Sequence, residues 1–372
     1  MTAVPGMLTP SAIDPPTGRF RVRRSARPSG WLVPVALGVV VLFAFMPALV
    51  SAGDTSLLVN VFILLTISTM WNLMAGYAGM VSIGQQAFIG LGAYGVLIGA
   101  IGGMEPFTVI PIAAIACAVI ALPISFLVFR TKGGYFAVAT WVVASTAELV
   151  ISSITSIGGG TGRAMPGLSS LSPTQFGHIT YWAALAVVVL ALAVTYLLLR
   201  SRLGLVLSAV RDDEEGALAA GARVMTARRI VYLVAALGCG AAGALLAVSQ
   251  LQVQPASVFS VQFSAEIIFV TLIGGMGTIE GPIIGTIVYF ALQQNLSQHG
   301  AWYLIILGTV AVVIAIWLPR GLWGTVTRRL RFEFFPVGYF VVPEKAVPET
   351  PGETPGAGTE PEADTTVGTA DG

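Results

Sequence analysis

Charge is what this 372-residue sequence has least of: 10% of its residues are Asp, Glu, Lys or Arg, against roughly 25% in an average soluble domain. A water-soluble globule is excluded on that ground. Cysteine is nearly absent. Cys117 and Cys239 each stand inside an apolar run, which excludes a disulfide framework and any cysteine-rich zinc or iron–sulfur site. The two histidines, His178 and His299, fall in expected loops, so no metal set is anticipated. The two lysines, Lys132 and Lys345, lie outside any G-x-x-x-x-G-K-[ST] pattern; the chain carries no P-loop for ATP. A net charge of +1 gives no basis for binding nucleic acid. No cofactor is expected.

What is present is apolar: 55% of the residues are hydrophobic. Between Arg27 and Arg130 the only charges are Asp54 and Glu105. Runs of roughly 18–20 apolar residues suffice to cross a bilayer as helices. The pattern predicts spans at 31–51, 56–75, 79–101, 106–129, 134–155, 179–199, 229–249, 264–292 and 300–319. The fold class expected is therefore an all-α, polytopic membrane protein with about 8–10 transmembrane helices. Val50-Ser51-Ala52 resembles a signal cleavage site, but the polar lead and the apolar run are both long for a signal peptide. The first span is read as uncleaved.

Basic residues orient the spans. Arg19, Arg21, Arg23, Arg24 and Arg27 place an N-terminal arm, 1–30, in the cytoplasm. Arg130 and Lys132 then return to that side, as do Arg200, Arg202, Arg211, Arg223, Arg228 and Arg229. One continuous span at 264–292 would strand Arg320, Arg328, Arg329 and Arg331 outside. That segment contains Gly274, Gly275, Gly277, Glu280, Gly281 and Pro282, a poor helix interior. Two short helices, 264–274 and 282–293, joined by a tight turn restore the rule. The permease body is taken as 31–319. The tail, 320–372, is Pro-, Glu-, Gly- and Thr-rich from Val342, too polar to bury a core. It is expected to be cytoplasmic and largely disordered.

Four segments differ from plain lipid-facing helix. Residues 72–88 place Asn72, Ser82, Gln85 and Gln86 among glycines near membrane depth. Such groups must be satisfied by protein or water. They either bridge packed helices or line a substrate route along a discontinuous helix. Gly133 to Thr140 opens a helix that carries Glu148. Gly158 to Arg163, with Pro166-Gly167, forms an outer loop suited to touching a partner protein. The cytoplasmic loop at about 200–228 holds Arg211-Asp212-Asp213-Glu214-Glu215 followed by Ala217 to Gly221. Acids at a helix start suit its dipole, so a short interfacial helix over 207–221 is expected, or else a solvated linker.

Together these segments resemble the permease subunits of branched-chain amino acid ABC importers, the LivM type, and their relatives in urea and short-chain amide uptake. The resemblance runs from about residue 56 to 320. The family's G-Y-x-G-x-x-S-x-G-x-x-A-F is matched by Gly76, Tyr77, Gly79, Ser82, Gly84, Ala87 and Phe88; Gln85 stands where His is frequent. G-x-Y-x-A-x-x-T is matched by Gly133, Tyr135, Ala137 and Thr140, and the glycine loop by Gly159, Gly160 and Gly162. R-x-x-E-x-x-A-x-x-x-G, the coupling loop, is matched by Arg211, Glu214, Ala217 and Gly221, with Gly216 and Leu218 replacing the usual Ala and acid. The late G-G-x-G-x-x-x-G-P-x-x-G is matched by Gly274, Gly275, Gly277, Gly281, Pro282 and Gly285.

The resemblance implies a transporter subunit without catalysis, in the bacterial inner membrane, with both termini cytoplasmic. It implies two ATPase subunits, a second LivH-like permease and an extracytoplasmic binding protein as partners. Asn72, Tyr77, Ser82, Gln85, Gln86, Phe88, Tyr135 and Thr140 would line the substrate pathway. Arg211, Asp212, Glu214, Ala217 and Gly221 would couple to the ATPase. A pathway wall free of fixed charge suits an apolar amino acid. Urea or a small amide remains an alternative in the same class. From another class, an ion-coupled secondary transporter would depend on Glu148, Glu266 or Glu280. An intramembrane enzyme has no His–carboxylate cluster to support it.

Overall fold

The computed structural model describes residues 20–24, 32–49, 51–168, 171–296, 302–318, 321–330 and 339–343. It divides into two units: Ser25–Gly338, and a smaller one formed by Met1–Arg24 with Tyr339–Gly372.

The large unit is helical. Its elements are α1 (Leu32–Leu49), α2 (Ala52–Asn72), α3 (Gln86–Ile101), α4 (Pro106–Val128), α5 (Gly134–Ser153), α6 (Pro173–Arg200), α7 (Arg202–Asp212), α8 (Glu214–Ala219), α9 (Val224–Gln250), α10 (Pro255–Val258), α11 (Val261–Gly274), α12 (Glu280–Leu296), α13 (Trp302–Trp317) and α14 (Gly321–Leu330). Among the described residues six helical segments are long and apolar enough to cross a membrane: Gly53–Tyr77, Pro106–Val128, Gly134–Ser153, Pro173–Arg200, Val224–Gln250 and Pro255–Gly274. Gln86–Ile101 is apolar but shorter. The chain is an all-α polytopic membrane protein.

Helix starts follow ordinary capping chemistry. Ser51 accepts from the Asp54 amide at α2. Ser172 and Gln175 form a capping box at α6, followed by Pro173 in its first turn. That box starts α6 six residues before the expected 179, because the polar Pro173-Thr174-Gln175 is helical although hardly apolar.

The centre is built on α2 and α9, most of whose length is enclosed by protein, whereas α4 and α5 turn most of their side chains outward. Between bilayer helices lipid supplies no hydrophobic drive, so close packing of small residues must. A Cβ on Gly92 of α3 would collide with the Gly240 carbonyl of α9, and one on Gly243 with the Ile89 carbonyl of α3. Outside this interface α1 docks on α6 by hydrogen bonds from Tyr181 Oη to Phe43 O, 2.8 Å, and from Trp182 Nε1 to Ala44 O, 3.2 Å. On the loop side, β2 (Arg163–Ala164) pairs with β3 (Gln252–Val253), tying the glycine-rich loop to the end of α9.

The break expected between 264–274 and 282–293 is present: α11 and α12 are separated by Gly275 to Ile279, as the glycines dictate. Two expectations need correction. The span at 79–101 begins seven residues late, at Gln86, because 79–85 is not helical. The 320–372 tail is not wholly irregular: α14 follows α13, and β4 (Tyr339–Pro343) pairs antiparallel with β1 (Phe20–Arg24), from Phe20↔Pro343 to Arg24↔Tyr339. The alternating bulk of Tyr339-Phe340-Val341-Val342 suits a strand, so Val342 is not where order ends. Residues 1–19 and 344–372 lie outside the described residues, as do Arg27, Arg320 and Arg331.

Gly92→Val should therefore cost about 3 kcal/mol or more by overpacking α3 against α9, seen as loss of membrane-inserted protein and of detergent-resistant folding. Gly134→Ala, which meets open space, should leave both unchanged.

Candidate functional site

The polar segment near membrane depth is a discontinuity in the helix. α2 runs into a π-helical turn, Leu73–Tyr77, and the chain then travels unwound to Gln86. Unwound backbone in a membrane must find partners in protein, and neighbouring helices supply them. Trp71 Nε1 donates to Ser82 O at 2.8 Å. The Ile83 amide donates to Thr140 Oγ1 of α5 at 3.3 Å, and Ser264 of α11 reaches Ile83 O at 3.1 Å. Ser82 Oγ accepts from the Gly84 amide at 3.2 Å. Gly84 lies so close to Thr140 that a Cβ would strike its carbonyl.

Side chains close the rest. Gln85 donates to Met74 Sδ at 2.9 Å and accepts from Cys239 Sγ at 3.5 Å. Gln86 accepts from Ser264 Oγ. Phe88 packs edge-on against Tyr232, centroids 5.5 Å apart. Tyr77 is buried in the same core. Asn72, Tyr77, Ser82, Gln85, Gln86, Phe88 and Thr140 are thus all buried by protein, and Asn72, Ser82, Gln85, Gln86 and Thr140 have hydrogen-bond partners there. Tyr135 is apart from them, 80% exposed at the start of α5. Trp71, Cys239 and Ser264 belong to this junction and sequence reasoning does not find them; Trp71, a polar-capable residue flanking the first break, carries the available signal.

The second break lies between α11 and α12. Gly275 (φ 128°) and Gly277 (φ 80°) occupy backbone conformations that side-chain-bearing residues rarely adopt. Thr278 Oγ1 donates to Gly275 O at 2.9 Å and accepts from the Gly281 amide at 3.0 Å, capping α12. Gly274 packs on the Gly281 carbonyl and Gly285 on that of Val270. Pro282 is buried in the first turn of α12, where its missing N–H costs nothing. Asn72 joins the two breaks: its Nδ2 donates to Thr278 O at 2.7 Å, and its Oδ1 accepts from the Gly277 amide at 2.9 Å. A Cβ on Gly76 would collide with Asn72 Oδ1 and the Gly277 nitrogen. Gly321, opening α14, sits directly on Gly275.

The charged segment is two helices, not the single helix expected over 207–221. Asp213 is extended (φ −155°) and caps α8, accepting from the Gly216 amide at 3.0 Å; an Asx cap competes with continued helix. Glu214 does not point away from the protein. It holds Arg228 of α9 through two hydrogen bonds, 2.8 and 2.9 Å. Those hydrogen bonds hold its carboxyl below the usual range, against a smaller opposing push from burial. Arg211 also turns inward, donating to Gly76 O at 3.2 Å and Asp212 Oδ1 at 3.3 Å. Ala217 is buried with Val210 and Val224. Gly221 (φ 79°) ends α8 with open space around it, and Leu218 is exposed.

At the opposite end of α2 a cavity of about 530 Å³ is lined by Thr55, Asn60, His178, Thr180 and Gln250, among others. Asn60 and Asn72 are twelve residues apart, roughly 18 Å along a helix, so this cavity is separate from the junction.

Asn72→Ala should orphan the Gly277 amide and the Thr278 carbonyl, costing about 1–3 kcal/mol, measured as a lowered melting temperature in detergent with the helix content retained. Glu214→Gln tests the ion pair. A carboxyl with a lowered pKa stabilises at neutral pH, and that contribution is lost as pH falls through the lowered value. The wild-type advantage over Glu214→Gln should be present at pH 7, no more than about 1 kcal/mol because the pair is partly exposed, and should shrink on acidification below the usual carboxylate range.

A family described as "Branched-chain amino acid transport system / permease component" matches residues 55–315. Among curated relatives, the high-affinity branched-chain amino acid transport system permease protein LivM of Escherichia coli (strain K12) is 26% identical, covering 77% of this chain and 73% of its own length. LivM of Salmonella typhimurium matches with the same identity and coverage. The ribose import permease protein RbsC of Bacillus subtilis is 29% identical over 36% of this chain and 43% of its own. No solved structure matches. The two broken helices and the charged α7–α8 segment fall within the matched region, and the chain belongs to the family of permease components of branched-chain amino acid transport systems.

Proposed function

We propose that this chain is one of two permease subunits of an ABC importer for branched-chain or other apolar amino acids, driven by ATP hydrolysis on two separate ATPase subunits. A LivH-like permease supplies the other half of the pathway, and an extracytoplasmic binding protein delivers the solute. The observation that carries the reading is the α7–α8 segment: a charged pair of helices that is hydrogen-bonded into the breaks of the membrane helices. A docked ATPase needs such a connection. Leu218, exposed among charges, offers it an apolar contact.

The pathway wall is assigned to the outward face of residues 79–85 and α5, where Val81, Tyr135, Val138 and Trp141 are exposed. These four residues carry no fixed charge, which suits an aliphatic side chain. The buried Asn72, Gln85, Gln86 and Thr140 hold that wall in place. Orientation places Arg130, Lys132 and α7–α8 in the cytoplasm of a bacterial inner membrane. The antiparallel pairing of β1 with β4 supports the two termini sharing one side of the membrane, since paired strands cannot have a bilayer between them.

Uptake by the assembled transporter in proteoliposomes is the test. Labelled leucine, isoleucine and valine should enter only with ATP inside or on the ATPase side. Preference for urea or a short amide would replace the substrate assignment. Uptake that ignores ATP but collapses with a proton or sodium gradient would overturn the importer reading. Cysteines introduced at Ser25 and after Arg331 should both resist impermeant labels from outside; labelling of either refutes the orientation.

A further inference from the structure

The end of α2 presents a problem that Arg211 solves. The last carbonyls of a helix have no partner within it and carry the negative end of the helix dipole. At the end of α2 the π-helical turn leaves the Gly76 carbonyl free of its helix, and a guanidinium from α7, 135 residues later in the chain, donates to it at 3.2 Å. The same nitrogen lies against the other break: a Cβ on Gly277 would be 3.1 Å from Arg211 Nη1 and 3.2 Å from Gly76 O. One turn earlier, Asn72 ties Gly277 and Thr278 to α2. One cation thus sits where the docking segment, the end of α2 and the α11–α12 turn meet. Glu214, on the far side of Asp213, secures α8 to α9 through Arg228. Beside its apolar packing on α6 and α9, the segment is thus held by polar contacts to an unbroken helix through Glu214 and at both broken ones through Arg211.

We infer that Arg211 is a positioning residue of the gate: it carries displacement of α7 into the two helix breaks by holding the Gly76 carbonyl beside Gly277. This rests on the reading of α7–α8 as the ATPase-docking segment. It assigns Arg211 to the membrane side of that segment, with contact to the ATPase left to exposed residues such as Leu218. A static helix cap would affect folding alone. A transmitting link affects how much solute moves for each ATP consumed.

The measurement is the ratio of ATP hydrolysed to leucine imported by the complete transporter in proteoliposomes, with membrane abundance checked by immunoblot. Arg211→Gln and Arg211→Met should raise that ratio by about fivefold or more, the lower range of ordinary coupling strengths. Arg211→Lys, which keeps a cationic donor, should stay within about twofold of wild type. Leu218→Asp serves as the control on the docking reading and should lower hydrolysis and import together. If Leu218→Asp behaves as wild type, the docking reading fails. If it impairs both activities while Arg211→Gln leaves the ratio unchanged, the role of Arg211 fails and docking stands. If neither Arg211→Gln nor Arg211→Met accumulates in the membrane, the residue serves folding and the inference is overturned.

Discussion

A backbone amide or carbonyl inside a bilayer must find its partner within protein, and the architecture at the centre of this molecule follows from that requirement. Two helices break inside the membrane domain, after Asn72 and after Gly274. Each break exposes groups that a continuous helix would have paired. Side chains from elsewhere take up the debt: Trp71 and Thr140 at the unwound segment, Ser264 between it and α11, Thr278 at the start of α12. Asn72 serves both breaks at once, which forces them to lie together. Glycine then becomes obligatory at Gly76, where a Cβ would strike the Gly277 backbone, and is favoured at Gly277 by its positive φ.

Much of this was legible in the sequence. Apolar run lengths gave the helices of the core, since the bilayer imposes a length that few soluble helices share. Gly274, Gly275, Gly277 and Gly281 announced a turn, because four glycines and a proline oppose a helix at every level. The segment around Asn72 and Gln85 stood out for polarity at membrane depth. Its partners did not. Thr140 and Ser264 lie 57 and 181 residues from Ile83, and no local pattern encodes such distances.

The misreadings have equally physical causes. The unwound stretch 79–85 reads as part of a span because Met80, Val81 and Ile83 are apolar, yet two glycines and Ser82 favour leaving the helix. The charged loop was read as one helix because Asp213 looks like an ordinary acid of a first turn. Its role as a cap depends on an extended backbone that composition does not reveal. Glu214 and Arg211 read in sequence as surface charges open to a partner; each also hydrogen-bonds within the protein, to Arg228 and to the Gly76 carbonyl, a contact no local pattern encodes. Tyr135 shares a motif with Thr140 but stands apart from it, because it begins a helix and is exposed there.

The π-helical turn at Leu73–Tyr77 also constrains how this chain can change over evolutionary time. Trp71 and Asn72 on one side of the break, and Ile83 and Gln86 on the other, are held by α5, α11 and the α11–α12 turn. Removing or adding one residue between them would rotate whatever follows by about 100° and shift it by about 1.5 Å, releasing several of these attachments together. Insertions and deletions should therefore gather in the connections before α4 and α6, where the chain runs between helix ends, and be purged from residues 71–86. Homologues of very different sequence should keep that stretch at one length, so that its spacing, more than its residue identities, is the inherited trait.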